Sequence, residues 1–178
     1  MHDHILLPTD GSAGMARVID HALWTAQTHD ATLHALYVVD SGSVAGVPMD
    51  STWHDLSATL EREGERALDE VARRVGEAAP LERTIREGRP SGEIVAYAEE
   101  RDVDLVVMGT HGRGGLDRLL LGSVAEHVVR RASVPVTTVR HGPDTDVPRI
   151  DSELDPQRRD GDDRDPPAGR REPEPGTR

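Results

Sequence analysis

The apolar residues of this chain fall into five short runs separated by longer amphipathic stretches. Each run is almost continuously apolar, which is typical of strands buried on both faces of a parallel sheet. The runs predict strands at residues 4–8, 31–39, 81–86, 103–108 and 134–139, the first of them ended by Pro8. Between them, apolar positions with helical spacing predict helices at residues 12–29, 53–78, 90–101 and 123–132, with Ser12 as the first N-cap.

The regular alternation of strand and helix predicts the α/β class, with a doubly wound parallel sheet covered by helices on both faces. Ligands of such sheets bind beyond the carboxyl ends of the strands, where the strand order reverses. The two loops richest in Gly, Asp and Ser follow the first and the fourth strand. These loops line one crevice if the two strands are neighbours, but the pattern alone does not establish the strand order.

Composition changes abruptly near residue 141, which places the boundary of the folded domain there. Residues 142–178 contain seven Pro and 11 Asp or Glu, with only four aliphatic side chains. Such a segment buries too little apolar surface to offset the entropy of ordering it. We therefore predict one domain at residues 1–141 and a disordered, acidic tail rich in Pro and Arg at residues 142–178.

The charge balance argues against one class of partner. Thirty-three acidic residues face 21 basic ones, a net charge of -12, and every basic residue is Arg. Such a surface repels phosphate at long range, so we expect no binding to nucleic acid. A halophilic host is our hypothesis for the excess of acid, and a GC-rich genome is the alternative explanation for the arginines.

Two absences bear on the location of the protein. The chain has no cysteine, which excludes disulfides, thiolate metal sites and a cysteine nucleophile. No window approaches the roughly 20 apolar residues of a membrane span, and the first residues do not resemble a signal peptide. We therefore expect a cytoplasmic protein that makes no contact with a membrane.

The loop after the fourth strand carries the pattern of a phosphate site. Gly109 and Gly112 lack the β-carbon that would hold a phosphate away, and glycine tolerates positive φ. Gly122 and Ser123 stand where a helix begins, and the free N–H groups of a helix N-terminus favour an anion. The Ser123 hydroxyl can bind phosphate or a divalent ion, and Arg113 can supply positive charge.

The glycine spacing from Gly109 to Ser123, Gly-x2-Gly-x9-Gly-Ser, is similar to that of the ATP-binding universal stress proteins. The flanking residues 107–113 and 120–128 resemble the same family, as do residues 5–12 at the start of the chain. The similarity extends over residues 3–140. It implies a Rossmann-like, five-stranded sheet of the adenine nucleotide alpha hydrolase type, with strand order 3-2-1-4-5, which makes the first and fourth strands neighbours.

The resemblance also implies which residues hold ATP. Asp10 is expected near the ribose or the phosphates and, with Ser123, at a Mg2+ or Mn2+ ion. Pro8 and Thr9 are expected to shape the adenine side, and the backbone of Val38 to meet the adenine edge. The full set of implied binding residues is Pro8, Thr9, Asp10, Val38, Met108, Gly109, His111, Gly112, Arg113, Gly122, Ser123 and Val124.

The resemblance further implies a homodimer, because the family commonly dimerises, often through its last strand. That strand is predicted at residues 134–139 and carries Val134, Val136 and Val139. An uncovered edge strand fits this arrangement, since its free N–H and C=O groups seek a partner.

Three functions remain open. The first is a regulatory ATP-binding protein of the stress response, the second a slow ATPase, and the third an interaction protein that binds AMP or another nucleotide. The Gly-x4-Gly-Lys-Ser/Thr loop is absent, which favours binding over chemistry and leaves open whether the chain is an enzyme. We assign no catalytic residue, because a loop histidine such as His111 more often bonds backbone or solvent than transfers a proton.

Overall fold

The computed structural model describes residues 2–40, 42, 51–111 and 121–140, of which residues 51–57 are described by their backbone alone. The predicted tail at residues 142–178 lies outside the described residues. The strands are β1 (His4–Thr9), β2 (Thr32–Asp40), β3 (Leu81–Gly88), β4 (Leu105–Gly109) and β5 (Val136–Val139). All neighbouring strands are parallel, in the order β3-β2-β1-β4-β5, which confirms the predicted fold class and strand order.

Helices cover both faces of the sheet. The described helices are α1 (Met15–His29), α2 (Ser51–Val75), α3 (Pro90–Glu100) and α4 (Ser123–Arg131). Because side chains alternate along a strand, Ile5 and Leu7 of β1 pack with α1 and α2, whereas Leu6 packs with α3 and α4. None of the described helices combines the length and apolar character needed to cross a membrane.

The first helix begins at Met15, so the prediction of Ser12 as its N-cap is wrong. The turn after β1 closes on its own polar groups instead. The Ser12 N–H donates to Asp10 Oδ1 at 3.0 Å, and the Met15 N–H donates to the Ser12 carbonyl at 3.0 Å. Such an Asx turn competes with the helix for the same backbone groups, and it delays the start of α1.

Two strands, β4 and β5, begin two residues later than predicted. Val103 is tied to the end of α3, because its N–H donates to the Ala98 carbonyl at 2.9 Å, and β4 therefore starts at Leu105. At the other strand, Pro135 has no N–H for the ladder, and β5 starts at Val136. Proline and hydrogen bonding at a helix end thus make both strands shorter than the predicted runs.

A buried polar network lies near the amino ends of β1 and β2. His34, only 2% exposed, has its Nε2 3.0 Å from Nδ1 of His4 and its Nδ1 3.1 Å from the Tyr97 hydroxyl. A carboxylate oxygen of Glu82 lies 3.5 Å from the same Nδ1. Burial lowers the pKa of His34, an effect larger than the opposing one of Glu82. The imidazole is therefore held neutral in the folded protein near neutral pH.

The two edges of the sheet differ in charge. On the β3 edge, Arg83 pairs with Asp69 of α2 at 2.9 Å, and Arg86 pairs with Glu100 of α3. The β5 edge has the sequence Val-Thr-Thr-Val and carries no charged side chain. Charged side chains discourage pairing of an edge strand with another chain, so the β3 edge is the better protected one.

Candidate functional site

Strands β1 and β4 separate towards their carboxyl ends, and this opens a cleft. Their pairing ends at Leu6 and Val106, whereas β1 stays paired with β2 as far as Thr9 and Tyr37. Pro8 was predicted to end the first strand, but it lies inside β1, where it has no N–H to donate to a neighbour. Because the strand order reverses between β1 and β4, this is the position at which doubly wound sheets bind ligands.

The cleft holds a cavity of about 550 Å³. Of the twelve residues predicted to bind the nucleotide, Gly112 and Arg113 lie outside the described residues. The other ten line the cavity: Pro8, Thr9, Asp10, Val38, Met108, Gly109, His111, Gly122, Ser123 and Val124. The structure thus brings residues from both ends of the domain to one place, and the chemical role of each stays a prediction.

Ten further lining residues were not predicted. They are Met15, Leu36, Tyr37, Val39, Asp40, Leu60, Pro90, Ile94, Thr110 and Ala125. Asp40 and Thr110 lie at or just beyond a strand end, so the rule that ligands bind at carboxyl ends could have found them. Leu60 and Ile94 come from helices, where an apolar residue facing a cavity has the same spacing as one facing the core.

Polar side chains shape the turn after β1. The Gly11 N–H donates to Thr9 Oγ1 at 3.2 Å, next to the bond from Ser12 to Asp10 already described. Gly11 has a φ of +71°, a conformation that glycine adopts without steric cost. The turn therefore holds the half-buried Asp10 at the cavity.

Backbone hydrogen bonds join β4, β5 and α4 around the second loop. The Thr110 N–H donates to the Val139 carbonyl at 2.9 Å, and the Gly122 N–H donates to the Thr110 carbonyl at 2.8 Å. A β-carbon on Gly122 would lie 3.2 Å from that carbonyl oxygen. Gly122 has φ -64° and ψ 152°, which any residue adopts, so glycine is needed there for close approach alone. Gly109 likewise ends β4 in extended backbone.

Helix α4 begins at the cavity. Gly122, Ser123 and Val124 all line it, and the N-cap residue, Gly122, forms no side-chain hydrogen bond with the helix. The first N–H groups of a helix have no partner within the helix, and the helix dipole adds partial positive charge at the same end. This end of the cavity therefore suits an anion.

The charges of the described lining are two carboxylates, Asp10 and Asp40, and no arginine. Within residues 2–40, 42, 51–111 and 121–140, no group of three His, Asp or Glu side chains is placed to hold a metal ion. The two predicted metal ligands, Asp10 and Ser123, both line the cavity. Such a small oxygen set fits Mg2+, which takes one or two protein ligands together with phosphate oxygens and water.

One ring nitrogen of His111 is satisfied and the other is not. Its Nδ1 lies 2.9 Å from the Thr110 hydroxyl. Its Nε2 is buried and has no hydrogen-bond partner in the described part of the chain, and the same holds for the Ser12 hydroxyl. An unpaired buried polar atom costs about 1–3 kcal/mol, so a partner from outside the described residues would stabilise either of these two groups.

The strand order and the cleft between β1 and β4 define a doubly wound α/β protein with a cavity at its topological switch point, the position at which such sheets bind ligands. The model of the universal stress protein family matches residues 1–140. The chain belongs to the universal stress protein family, which confirms the resemblance of its glycine spacing.

Individual relatives agree with this assignment. Universal stress protein MJ0531 of Methanocaldococcus jannaschii is 40% identical over 141 residues, which are 79% of this chain and 83% of the relative. The structure of UspA from Lactobacillus plantarum has a TM-score of 0.68 at 32% identity and covers 78% of this chain and 97% of its own. Protein MJ0577 of M. jannaschii has a TM-score of 0.71 at 28% identity, over 80% and 98% of the two chains.

Proposed function

We propose that this protein binds ATP in the cleft between β1 and β4 and acts as a regulatory nucleotide-binding protein in a stress response. The observation that carries the proposal is that ten of the residues that the family resemblance assigns to ATP line one and the same cavity. In this function, occupancy of the cavity by ATP controls the dimer state or the binding of a protein partner, rather than supporting rapid turnover.

The size and lining of the cavity support a nucleotide. Its volume of about 550 Å³ lies within the roughly 300–1,000 Å³ of small-molecule sites. Val38, Ile94 and Val124 belong to the apolar cluster beneath α3 and α4, and they also line the cavity. Apolar side chains of this kind suit the faces of a base, while the backbone of Val38 is proposed to meet its edge.

The amino end of α4 and the oxygen ligands support the phosphates. The free N–H groups of α4 and the Ser123 hydroxyl are proposed to bind them, and Asp10 with Ser123 to hold Mg2+ or Mn2+. A divalent ion neutralises phosphate charge beside two carboxylates that would otherwise repel it. Gly112 and Arg113 complete the proposed phosphate loop.

Other members of the family support an adenine nucleotide. A universal stress protein has been solved in complex with cAMP, and one from Archaeoglobus fulgidus in complex with dAMP. Their identities of 24% and 23% to this chain establish a common fold, so the choice of ATP depends on the resemblance of this chain's glycine spacing to the ATP-binding members.

A homodimer and a cytoplasmic location belong to the same proposal. Among the described residues β5 pairs with β4 alone, so its other side is an open edge of the sheet. Val136 and Val139 are half-buried there, and Val134 stands just before the strand. A second copy pairing along β5 satisfies these edge groups.

The test begins with the nucleotide that the protein retains. We would purify the full chain in high-salt buffer, denature it, and identify the released nucleotide by anion-exchange chromatography. Stoichiometric ATP supports the proposal, ADP alone supports the slow ATPase, and AMP supports the third function. If no nucleotide is released and Mg-ATP causes no thermal shift, the proposal is wrong.

Two substitutions locate the site. Ser123→Ala should weaken ATP binding in calorimetry about tenfold or more, because one hydrogen bond to a charged group contributes roughly 1.5–3 kcal/mol. Ser91→Ala is the matched control, since Ser91 lies in the first turn of α3 but does not line the cavity. Equal affinities of the two variants would place the nucleotide elsewhere.

A further inference from the structure

The short connection between α4 and β5 carries an exposed serine directly after a pair of arginines. Helix α4 ends with Arg130 and Arg131, and Ser133 follows after one alanine. All three side chains are exposed, that of Arg130 to 74%. Among the serines and threonines that the structure describes, Ser133 alone has arginine at both the second and the third position before it. The nucleotide cavity does not include this segment, so ATP binding does not account for it.

We propose that Ser133 is a phosphorylation site for a serine kinase that recognises arginine on the amino-terminal side of its target. Protein kinases select their substrates in part by the charges that flank the acceptor hydroxyl. In the reaction, Ser133 Oγ attacks the γ-phosphorus of ATP, the bond to the β,γ-bridging oxygen breaks, and ADP leaves. The hydroxyl proton passes to the catalytic aspartate of the kinase. This inference is independent of the proposed nucleotide site, because ATP here is the co-substrate of the kinase.

The backbone around Ser133 has the extended form that a substrate segment needs in order to enter a kinase cleft. Ala132, the C-cap residue of α4, has φ -62° and ψ 135°. Val134 precedes Pro135, and the residue before a proline is held in extended conformations. The N–H groups of Ser133 and Val134 have no backbone acceptor among the described residues. The segment can therefore enter a cleft without the loss of backbone hydrogen bonds at these two residues.

The Ser133 hydroxyl is also available, because it forms no hydrogen bond within the described part of the chain. The hydroxyls of Thr25 and Thr28, in contrast, each donate to a backbone carbonyl of α1 at 2.8 Å. Ser91 has an arginine two residues before it, but it lies in the first turn of α3, where the backbone is helical. Charge, backbone form and a free hydroxyl thus coincide at Ser133.

A phosphate on Ser133 has a partner beside it. Arg130 pairs with Glu126 at 3.0 Å, whereas Arg131 forms no ion pair within the described residues. A phosphoserine carries about −1.5 to −2 charges at pH 7, and arginine binds phosphate through two parallel hydrogen bonds. Phosphorylation therefore offsets the positive charge at the end of α4, and it changes the charge that a protein partner meets there.

This site lies away from the cavity. Helix α4 begins at the cavity and has nine residues, which span about 13 Å along its axis. Ser133 follows the far end of the helix. The phosphorylated chain should therefore bind ATP with the affinity of the unmodified chain.

Phosphorylation of the purified full chain by the catalytic subunit of cAMP-dependent protein kinase, an arginine-directed enzyme, tests the recognition. Peptide mass spectrometry should place the phosphate on Ser133. Ser133→Ala should lose this phosphate and Ser133→Thr should retain it, whereas Ser91→Ala should behave as wild type. Arg131→Gln should lower the initial rate about tenfold, the effect of one lost charge-assisted hydrogen bond. Arg73→Gln, in the arginine pair of α2, is the matched control and should not change the rate.

Mass spectrometry of the protein isolated from its own cells, growing, starved and salt-stressed, tests whether the site is used. Phosphate on Ser133 under any of these conditions supports the proposal, and its absence under all three overturns it. Phosphate on Ser91 in place of Ser133, or a rate at Ser133 that Arg131→Gln does not change, overturns the recognition. Failure of the chain to bind ATP contradicts the proposed function and leaves this inference intact.

Discussion

Gly64 in the middle of α2 allows the helix to lie directly on the sheet. A β-carbon at this position would lie 2.7 Å from Cδ1 of Tyr37 and 3.2 Å from Cδ1 of Ile85. Non-bonded carbon atoms prefer separations of about 3.5–4.0 Å, and both Gly64 and Tyr37 are buried. An added methyl group must therefore move the ring or lift the helix.

We predict that Gly64→Ala destabilises the protein by about 1 kcal/mol. Overpacking of this kind costs roughly 1–3 kcal/mol, and the better helix propensity of Ala returns up to about 1 kcal/mol. Gly92 in α3 provides the matched control, because a β-carbon there meets nothing within 4 Å. Gly92→Ala should therefore stabilise the protein, by about 0.5 kcal/mol, through propensity and a less flexible unfolded chain.

Urea unfolding of the full chain, followed by circular dichroism, measures both variants against wild type. Adding Tyr37→Leu to Gly64→Ala should recover part of the lost stability, because it removes the ring that the methyl group meets. If Gly64→Ala proves as stable as Gly92→Ala, the close approach of α2 to the sheet does not depend on this glycine. Because Tyr37 also lines the cavity, Gly64→Ala should weaken ATP binding, whereas Gly92→Ala should not.

Three further predictions concern the loss of stability in acid caused by His34, the hydrogen bonds of Asp104 to the first residues of the chain, and Gly122 in the second loop. Burial lowers the folded-state pKa of His34, so below about pH 6.5 the unfolded chain binds more protons than the folded one. The urea midpoint of the wild type should therefore fall as the pH drops through this value. The midpoint of His34→Gln should fall less steeply. Asp104 accepts the N–H groups of Asp3 and His4, and these bonds lower its pKa. Asp104→Ala should therefore cost about 1 kcal/mol at neutral pH, and the difference from wild type should vanish as the pH falls below about 4. Gly122→Ala should weaken ATP binding about tenfold, since its β-carbon crowds a carbonyl at 3.2 Å, with only a small change in Tm; unchanged affinity would contradict that role of the glycine.

The periodicity of apolar residues predicted every strand and helix of the described domain, but only some of their ends, such as the starts of β3 and α4. The other ends depend on competing local bonds, as at Asp10, whose side chain binds the Ser12 N–H and keeps it out of α1. At Pro8 the tertiary structure overrides the local preference. Proline usually ends a strand, but here β1 continues past it because β1 and β4 separate at this point. The strand order itself came from the family resemblance, since periodicity carries no information on which strands are neighbours.

The candidate site divides in a similar way. Gly109, Gly122 and Ser123 could be predicted because their spacing has a local mechanism at a helix N-terminus. Tyr37 and Leu60 could not, because they reach the cavity only through the packing of α2 on β2, a contact between segments distant in sequence. The unpaired Nε2 of His111 could not be predicted either, since it depends on which neighbours surround the ring in the folded domain.

The unequal edges of the sheet limit how copies of this protein can assemble. Each copy has a charged edge at β3, where Arg83 and Arg86 form ion pairs, and an uncharged edge at β5. Pairing through β5 then uses the open edge of both copies at once and leaves a charged edge at each outer end. In the proposed dimer, further strand addition therefore stops after two chains, and the contact that joins the two copies also prevents the growth of fibres.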